Sequence, residues 1–296
     1  MDFNQWGIIF QTAVRMSVPL VIVSLGGILS IKSGIVAMGL EGMMLMGAFV
    51  AAIVAYSTGS VLLGITASMM GGLIMSMILA VMVIQFKIDQ VIGGVALNIM
   101  ALGLTTLLLY IVWGNRGRSA WLPQVRTLDL PILGRMSPLF FVAIILCVAV
   151  WFLIFRTKWG LHLRMTGENP AAAVSVGIQV RRVKYTAMAL CGVLAGLAGS
   201  YFSIDQLNIF TRNATAGRGF IALSICILGR YNPFGILAGS FLFGFFDALS
   251  ISLQRFGIPG HLLQMIPYIV TLFVIVFGVR HVRAPMAIVK NLDVEY

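Results

Sequence analysis

Long apolar runs separated by short polar breaks dominate this chain and constrain its fold more than any other feature. A helix needs about 20 mostly apolar residues to cross about 30 Å of hydrocarbon. Nine runs of about this length predict an all-α integral membrane protein with about nine transmembrane helices. The predicted spans cover residues 10–31, 35–56, 60–84, 91–113, 138–156, 183–204, 216–230, 234–254 and 261–279.

The composition agrees with a membrane protein and argues against a nucleic-acid partner. Hydrophobic residues make up 60% of the chain and charged residues 10%, whereas soluble domains have about 45–50% and about 25%. The net charge of +11 would suggest nucleic acid in a soluble protein, but the basic residues cluster between apolar runs. We therefore expect one transmembrane bundle over residues 1–296, in contact with membrane lipid and not with nucleic acid.

Two long polar interruptions give the predicted orientation. They are the segments 114–137 and 157–182. If 157–182 is cytoplasmic, more than half of the 20 lysines and arginines lie on that side, as the positive-inside rule requires. Nine spans then place the C-terminus in the cytoplasm, the N-terminus outside, and 114–137 in an external loop.

Spans 1–4 and spans 6–9 run in opposite directions, with span 5 as the connector, which predicts an inverted-topology repeat. In both quartets the second span contains glycine breaks, in "SGIVAMGLEGMMLMGAF" and in "TAGRGFIALSICILGRYNP". Glycine-interrupted segments at corresponding positions indicate a substrate pathway. Close helix packing also favours glycine, and the two interpretations are compatible.

Polar groups inside the spans are the candidates for that pathway, because a buried charge costs about 2.5–3.5 kcal/mol on insertion scales. For Glu41 and Asp247, a structural role such as capping a broken helix competes with cargo contact. The amide of Asn98 suits either a neighbouring helix or a sugar hydroxyl. The predicted pathway set is Glu41, Asn98, Gly217, Gly219, Phe220 and Asp247.

Catalytic motifs are missing from the sequence. It has no G-x-x-x-x-G-K-[ST] phosphate loop, no G-x-S-x-G elbow and no metal-binding histidine spacing. We therefore expect a non-enzymatic chain that binds no metal and no cofactor of its own. The cysteines lie in apolar runs without a C-x-x-C pair, which predicts buried packing for Cys147, Cys191 and Cys226.

The polar segment "GLHLRMTGENPAAAVSVGIQVRRVK" contains more order than a solvated loop needs. Its basic residues fit a loop that only sets topology, but the Gly-Glu-Asn-Pro-Ala-Ala-Ala run does not. Pro170 suits the first turn of a new helix, where a missing N–H costs nothing. A short helix lying against the membrane is a shape that a soluble partner can grip.

This segment resembles the signature loop of bacterial ABC transporter permeases of the branched-chain amino acid, ribose and simple-sugar group. The pattern G-x-x-x-R-x-x-G-x-N-P-x-A-A-x-x-x-G-I is met at nine positions. They are Gly160, Arg164, Gly167, Asn169, Pro170, Ala172, Ala173, Gly177 and Ile178.

Three further segments are similar to the nucleoside and simple-sugar permeases within that group. They are "SGIVAMGLEGMMLMGAF", "TAGRGFIALSICILGRYNPFGILAGSFLFGFFDAL" and "LLQMIPYIVTLFVIVFG". Together with the signature loop they cover most of the chain from about residue 25 to 280. Agreement across separate segments is more specific than any one of them.

The resemblance implies a subunit of an ATP-driven importer in the bacterial inner membrane, first of all for nucleosides. The implied partners are an ABC ATPase that holds ATP and Mg, a second homologous permease in a heterodimer, and an external substrate-binding protein or lipoprotein. It also implies a coupling helix from Gly167 to Ile178. The implied coupling residues are Arg164, Gly167, Glu168, Asn169, Pro170, Ala171, Ala172, Ala173, Gly177 and Ile178.

Two alternatives stay open at this point. The same machinery serves another simple sugar of the ribose or galactose type, or a branched-chain amino acid. A different class, an ion-coupled secondary transporter, would use the inverted repeat with Glu41 and Asp247 as proton-carrying groups. That class predicts uptake by the lone chain, whereas the importer requires an ATPase.

Overall fold

The computed structural model of the protein describes residues 3–123, 128–130, 134–254 and 269, and these are helical apart from connecting segments and one short hairpin. π-Helical turns extend α3 through Val81–Gln85 and α8 through Tyr201–Gln206. The helices are α1 (Phe3–Lys32), α2 (Leu40–Thr58), α3 (Val61–Ala80), α4 (Gln90–Trp113), α5 (Pro138–Arg156), α6 (Lys158–Glu168), α7 (Pro170–Ser175), α8 (Val180–Ser200), α9 (Arg218–Leu228) and α10 (Pro233–Leu253).

Seven of the helices in the described part of the chain are long and apolar enough to cross a membrane. They are α1 to α5, α8 and α10, and they coincide with seven of the predicted spans. The predicted span 216–230 is α9, whose 11 residues extend over about 16 Å and are too short to cross alone. The predicted span 261–279 lies outside the described residues, so the prediction of nine spans is not confirmed.

A seam of small residues joins α3 to α8. A Cβ added at Gly72 would overlap the backbone of Gly192 and Gly196, and one at Gly196 would overlap the carbonyl of Ser68. Small residues spaced by four let two membrane helices approach until their backbones touch. The same face of α8 also packs against α2, where Gly47 meets Gly196.

Helix α1 runs through the middle of the bundle and packs against α5, α8, α9 and α10. Its contact with α10 is again close, because a Cβ at Gly244 would lie 2.9 Å from the amide nitrogen of Ser17. Pro19 lies inside α1 and has no N–H for the carbonyl of Arg15, four residues earlier. The hydroxyl of Tyr201 donates to that carbonyl at 3.0 Å and takes the place of the missing helical bond.

The segment after α4 pairs with the segment after α8. Residues 114–123 pair with the segment after α8: Ser119 donates to the carbonyl of Phe210 and Leu122 to that of Asn208, both at 2.8 Å. Later in the chain, β1 (Leu128–Leu130) and β2 (Gly134–Met136) pair with each other as antiparallel strands. All three cysteines are buried and unpaired with one another, which confirms their predicted packing role.

Candidate functional site

The first helix break lies between α1 and α2, and two side-chain amides of α4 form hydrogen bonds with its backbone. The chain from Ser33 to Gly39 is not helical. The Gln90 side chain accepts from the amide of Val36 at 2.7 Å. The Asn98 side chain donates to the carbonyl of Met38 at 2.9 Å and accepts from the amide of Gly42 at 2.8 Å.

These two amides occupy one stripe of α4, with Gly94 between them. A Cβ at Gly94 would overlap the Met38 side chain and lie 2.9 Å from the amide nitrogen of Gly39. The stripe therefore lets extended backbone lie directly on a helix inside the membrane. Such backbone must find partners for its polar groups, because lipid offers none, and Gln90 and Asn98 supply them.

The second break lies before α9, and Glu41 from the first turn of α2 occupies it. One carboxylate oxygen accepts from the hydroxyl of Thr215 and from the amide of Gly217, the latter at 2.8 Å. The other accepts from the amide of Gly219 at 2.6 Å. We call residues 38–42 and 215–219 together the junction, because the starts of the two broken helices meet there.

The carboxylate of Glu41 offsets the partial positive charges of the two helix starts. Each helix start carries roughly half a positive elementary charge from its aligned peptide dipoles. Glu41 lies in the first turn of α2 and at the first turn of α9, so one carboxylate serves both starts. Its exposed fraction is only 7%, and little water is present to screen this attraction.

Glycine is required on the α9 side of the junction. Gly217 has φ of +84°, a left-handed conformation that side chains disfavour. A Cβ at Gly219 would overlap the backbone of Glu41. The carboxylate of Glu41 is thus enclosed and bonded by three donors, as a helix cap. Asn98 is likewise engaged with the backbone of the first break.

Two residues of the predicted pathway lie beside the junction rather than within it. The side chain of Phe220 is 46% exposed. Asp247 lies half-buried on α10 and connects to the junction only through the positive charge of Arg218, which acts on its carboxylate. Glu41, Asn98, Gly217 and Gly219 are therefore assembled in one place, whereas Phe220 and Asp247 flank it.

A polar cluster at the C-terminal end of α8 was not predicted from the sequence. Asp205 lies in the π-helical turn and is 8% exposed. The hydroxyls of Ser137 and Tyr201 and the charge of Arg15 lie close to its carboxylate, yet its Oδ2 has no hydrogen-bond partner among the described residues. The sequence did offer one sign of this cluster, because Asp205 directly follows an apolar run. The predicted span ended at residue 204, so Asp205 was assigned to the loop after it.

The polar segment 157–182 contains two helices, α6 and α7. Asn169 caps α7 by accepting from the amide of Ala172 at 3.1 Å, and Pro170 is the first helical residue. At the other end, Gly177 has φ of +81°, and the amide of Ile178 donates to the carbonyl of Ala173 at 3.0 Å. This is a Schellman ending, so α7 is capped entirely by its own neighbours.

The predicted coupling helix from Gly167 to Ile178 is therefore too long. Gly167 and Glu168 belong to α6, because Asn169 leaves the helical conformation to cap the next helix. Helix α7 turns Pro170 and Ala173 inward and leaves one side open. The exposed residues on and beside that side are Glu168, Asn169, Ala171, Ala172, Val174, Ser175, Val176 and Gly177.

Helix α6 is seated on the end of α1. A Cβ at Gly167 would overlap the carbonyl oxygen of Lys32, the last residue of α1. The negative charge of Glu168 acts on the Lys32 ammonium. The same ammonium lies 5.7 Å from the ring centre of Tyr231, in the turn between α9 and α10. Burial raises the pKa of Tyr231, so its phenol stays neutral. Arg164 stacks on Phe155 at 5.5 Å.

The sequence is similar to those of known permease proteins over most of its length. The guanosine ABC transporter permease protein NupQ of Bacillus subtilis is 33% identical, over 97% of this chain and 97% of the relative. The nucleoside ABC transporter permease protein NupC of Lactococcus lactis is 32% identical, over 96% of each. The putative glucose ABC transporter permease protein TsgC13 of Haloferax volcanii is 30% identical, over 83% of this chain and 78% of the relative.

No solved structure matches the chain significantly. The family described as "Branched-chain amino acid transport system / permease component" matches residues 9–275, a range that includes the junction, both helices of the polar segment and, apart from the first residues of α1, the seven long apolar helices. The chain, a multi-pass membrane protein with a paired set of broken helices, belongs to this family of ABC transporter permeases.

Proposed function

We propose that this chain is the membrane-spanning subunit of an ATP-driven importer for nucleosides. The observation that carries the cargo assignment is near full-length similarity to two permeases named for guanosine and nucleosides, at 33% and 32% identity. The third relative is named for glucose, which makes a simple sugar the second candidate cargo.

In this proposal the chain supplies no ATPase activity of its own. An ABC ATPase in the cytoplasm holds ATP and Mg and grips the open side of α7. A second homologous permease completes the membrane unit as a heterodimer, and an external substrate-binding protein delivers the cargo. The unit lies in the cytoplasmic membrane of a bacterium, with the N-terminus outside and the C-terminus inside.

The grip on α7 is supported by its surroundings. Ala172 and Val174 are exposed, so a partner finds small apolar groups, while Gly167 fixes the preceding helix on α1. A push on α7 therefore reaches α1 and, through Lys32, the turn at Tyr231. Work done by the ATPase can shift the transporter between states only if it acts differently on each of them.

The inverted repeat is supported by which helices pack together. Helix α3 is the third helix of the first quartet and packs along α8, the first helix of the second quartet. In the same way α10, the third helix of the second quartet, packs along α1, the first helix of the first. The first members, α1 and α8, pack against each other, and the second members, α2 and α9, meet at the junction. A two-fold axis in the membrane plane would produce this set of pairings.

The proposed cargo pathway passes the junction, as in other transporters whose broken helices start at the substrate site. Its proposed residues are Glu41, Asn98, Gly217 and Gly219 as the framework, with Phe220 and Asp247 beside it. Phe220 offers an exposed aromatic face for a planar base. Asp247 offers a carboxylate to sugar hydroxyls.

Reconstitution in proteoliposomes tests the proposal. The chain is assayed alone and then with its ATPase, companion permease and binding protein, using labelled guanosine and labelled glucose. We expect guanosine uptake only from the full set and only with ATP. Uptake by the lone chain driven by an ion gradient would instead establish a secondary transporter, and preferential glucose uptake would overturn the nucleoside assignment.

A further inference from the structure

A groove on the outer face of α4 has two different ends. It has a volume of about 410 Å³ and runs from Ile99 past Leu107 to Tyr110. From Ile99 to Tyr110 the 12 residues of helix extend over about 16 Å, which is close to half of the roughly 30 Å hydrocarbon thickness. The groove therefore has the depth of one leaflet.

The floor of the groove is apolar and open. Ile99 is 66% exposed and Leu107 is 56% exposed. Gly103 lies between them, and a Cβ added there would find nothing within 4 Å. This glycine makes no close helix contact in the described structure, and the missing side chain instead deepens the groove.

The end of the groove is basic. Arg116 and Arg212 both line it, and both are exposed. The Arg116 guanidinium lies 4.9 Å from the ring centre of Tyr110, which holds it over the groove. The loops that carry the two arginines are joined, because the amide of Arg212 donates to the carbonyl of Gly117 at 2.9 Å.

Neither arginine forms an ion pair with an acid among the residues that the structure describes. Two guanidiniums above an apolar channel complement a molecule with an anionic head and a hydrocarbon tail. Phosphate accepts the bidentate hydrogen bonds that guanidinium donates, and a basic side chain near the membrane surface is attracted to anionic lipid headgroups. A soluble anion would leave the channel below the arginines unfilled.

We propose that this groove is a binding site for an anionic phospholipid. The phosphate lies between Arg116 and Arg212, and an acyl chain lies along α4 over Gly103. In the orientation proposed above, the lipid belongs to the outer leaflet. The site is separate from the junction and from the coupling segment, so it does not depend on the identity of the cargo.

The test measures lipid retained by the purified transporter in native mass spectrometry, after exchange into equal amounts of phosphatidylglycerol and phosphatidylcholine. We expect the wild type to retain phosphatidylglycerol preferentially. The double variant Arg116→Gln/Arg212→Gln should lose that preference by about 25-fold, since one basic residue near an anionic membrane surface contributes about fivefold.

Two single variants separate the parts of the site. Gly103→Phe places a ring in the channel, at a position where an added Cβ meets no atom within 4 Å. It should lower retention of both lipids, and the unfolding temperature, measured alongside, should stay unchanged. Arg118→Gln is the matched control, because Arg118 is exposed in the same loop and does not line the groove. It should retain the wild-type preference.

Several results would overturn the proposal. They are an unchanged preference in the double variant, an equal loss in Arg118→Gln, and complete displacement of the lipid by glycerol phosphate, which would indicate a headgroup-only site. Cross-linking of Leu107→Cys to the companion permease, with no lipid preference, would identify the groove as a protein interface. Uptake of guanosine is measured in parallel, so failure of the transport proposal is recognised separately.

Discussion

Helices α7 and α9 are both short, and their starts are built in opposite ways. The first turn of α7 is capped by Asn169, the residue directly before it. The first turn of α9 is capped by Glu41, which lies 176 residues from Gly217 in the sequence. One cap forms wherever the segment goes, whereas the other exists only when two distant parts of the bundle are assembled.

This difference suits the two positions. A helix that projects toward a soluble partner has to keep its shape while it is gripped, and a local cap provides that. A helix start inside the membrane has no water to satisfy its amides, so a charged side chain from another helix is worth more there. We therefore expect substitutions at the junction to affect the whole fold and those at α7 to act locally.

The largest effect is expected at Glu41. Glu41→Ala leaves the Thr215 hydroxyl and two amides of α9 without an acceptor, which we expect to destabilise the protein by about 4 kcal/mol. Glu41→Gln keeps one acceptor oxygen and should lose about half as much. The thermal unfolding midpoint of the purified protein measures both. A midpoint equal to that of the wild type in the Ala variant would show that the cap is dispensable.

Next come two substitutions in the coupling segment, with transport as the readout. Ala172→Arg changes an exposed residue and should abolish uptake while membrane insertion and unfolding temperature stay normal. Gly167→Trp should abolish uptake as well, because its side chain forces α6 off the end of α1. Normal ATP-driven uptake in either variant would remove the coupling role from this segment.

A smaller effect is expected at Asn98, which bridges the first break. Asn98→Ala removes two hydrogen bonds, to Met38 and Gly42, and should cost about 2 kcal/mol. Asn115→Ala is a suitable control, since Asn115 is exposed and bonds only its local turn. Equal unfolding midpoints for the two variants would contradict the bridging role.

The smallest effect is expected at the local cap. Asn169→Ala should cost about 1 kcal/mol within α7, seen as faster hydrogen exchange at the Ala172 amide with an unchanged global unfolding midpoint. Asn169→Asp keeps an acceptor and should restore the slower exchange. A drop in the global midpoint with Asn169→Ala would mean that α7 is less autonomous than its caps indicate.

The same contrast explains what could be predicted from sequence. The start of α7 was predictable because Asn169 and Pro170 are adjacent local signals, and seven long helices followed from hydropathy alone. The sequence did not predict that a helix ends at Glu168, inside the proposed coupling helix, or that the predicted span 216–230 forms a helix of only 11 residues. Each of these ends depends on a cap or turn that competes with the apolar pattern. The donors around Glu41 and the neighbours of Asp205 come from distant segments, which one sequence does not identify.

The bond from Tyr201 to the carbonyl of Arg15 has a mechanical consequence. Proline leaves α1 with a point of low bending stiffness at Pro19, and the reinforcement there comes from α8 rather than from α1 itself. If α8 slides past α1 by a few ångströms, the hydrogen bond from Tyr201 is lost and α1 can bend at Pro19. The compliance of α1 is thus conditional on the relative position of the two helices that open each half of the molecule.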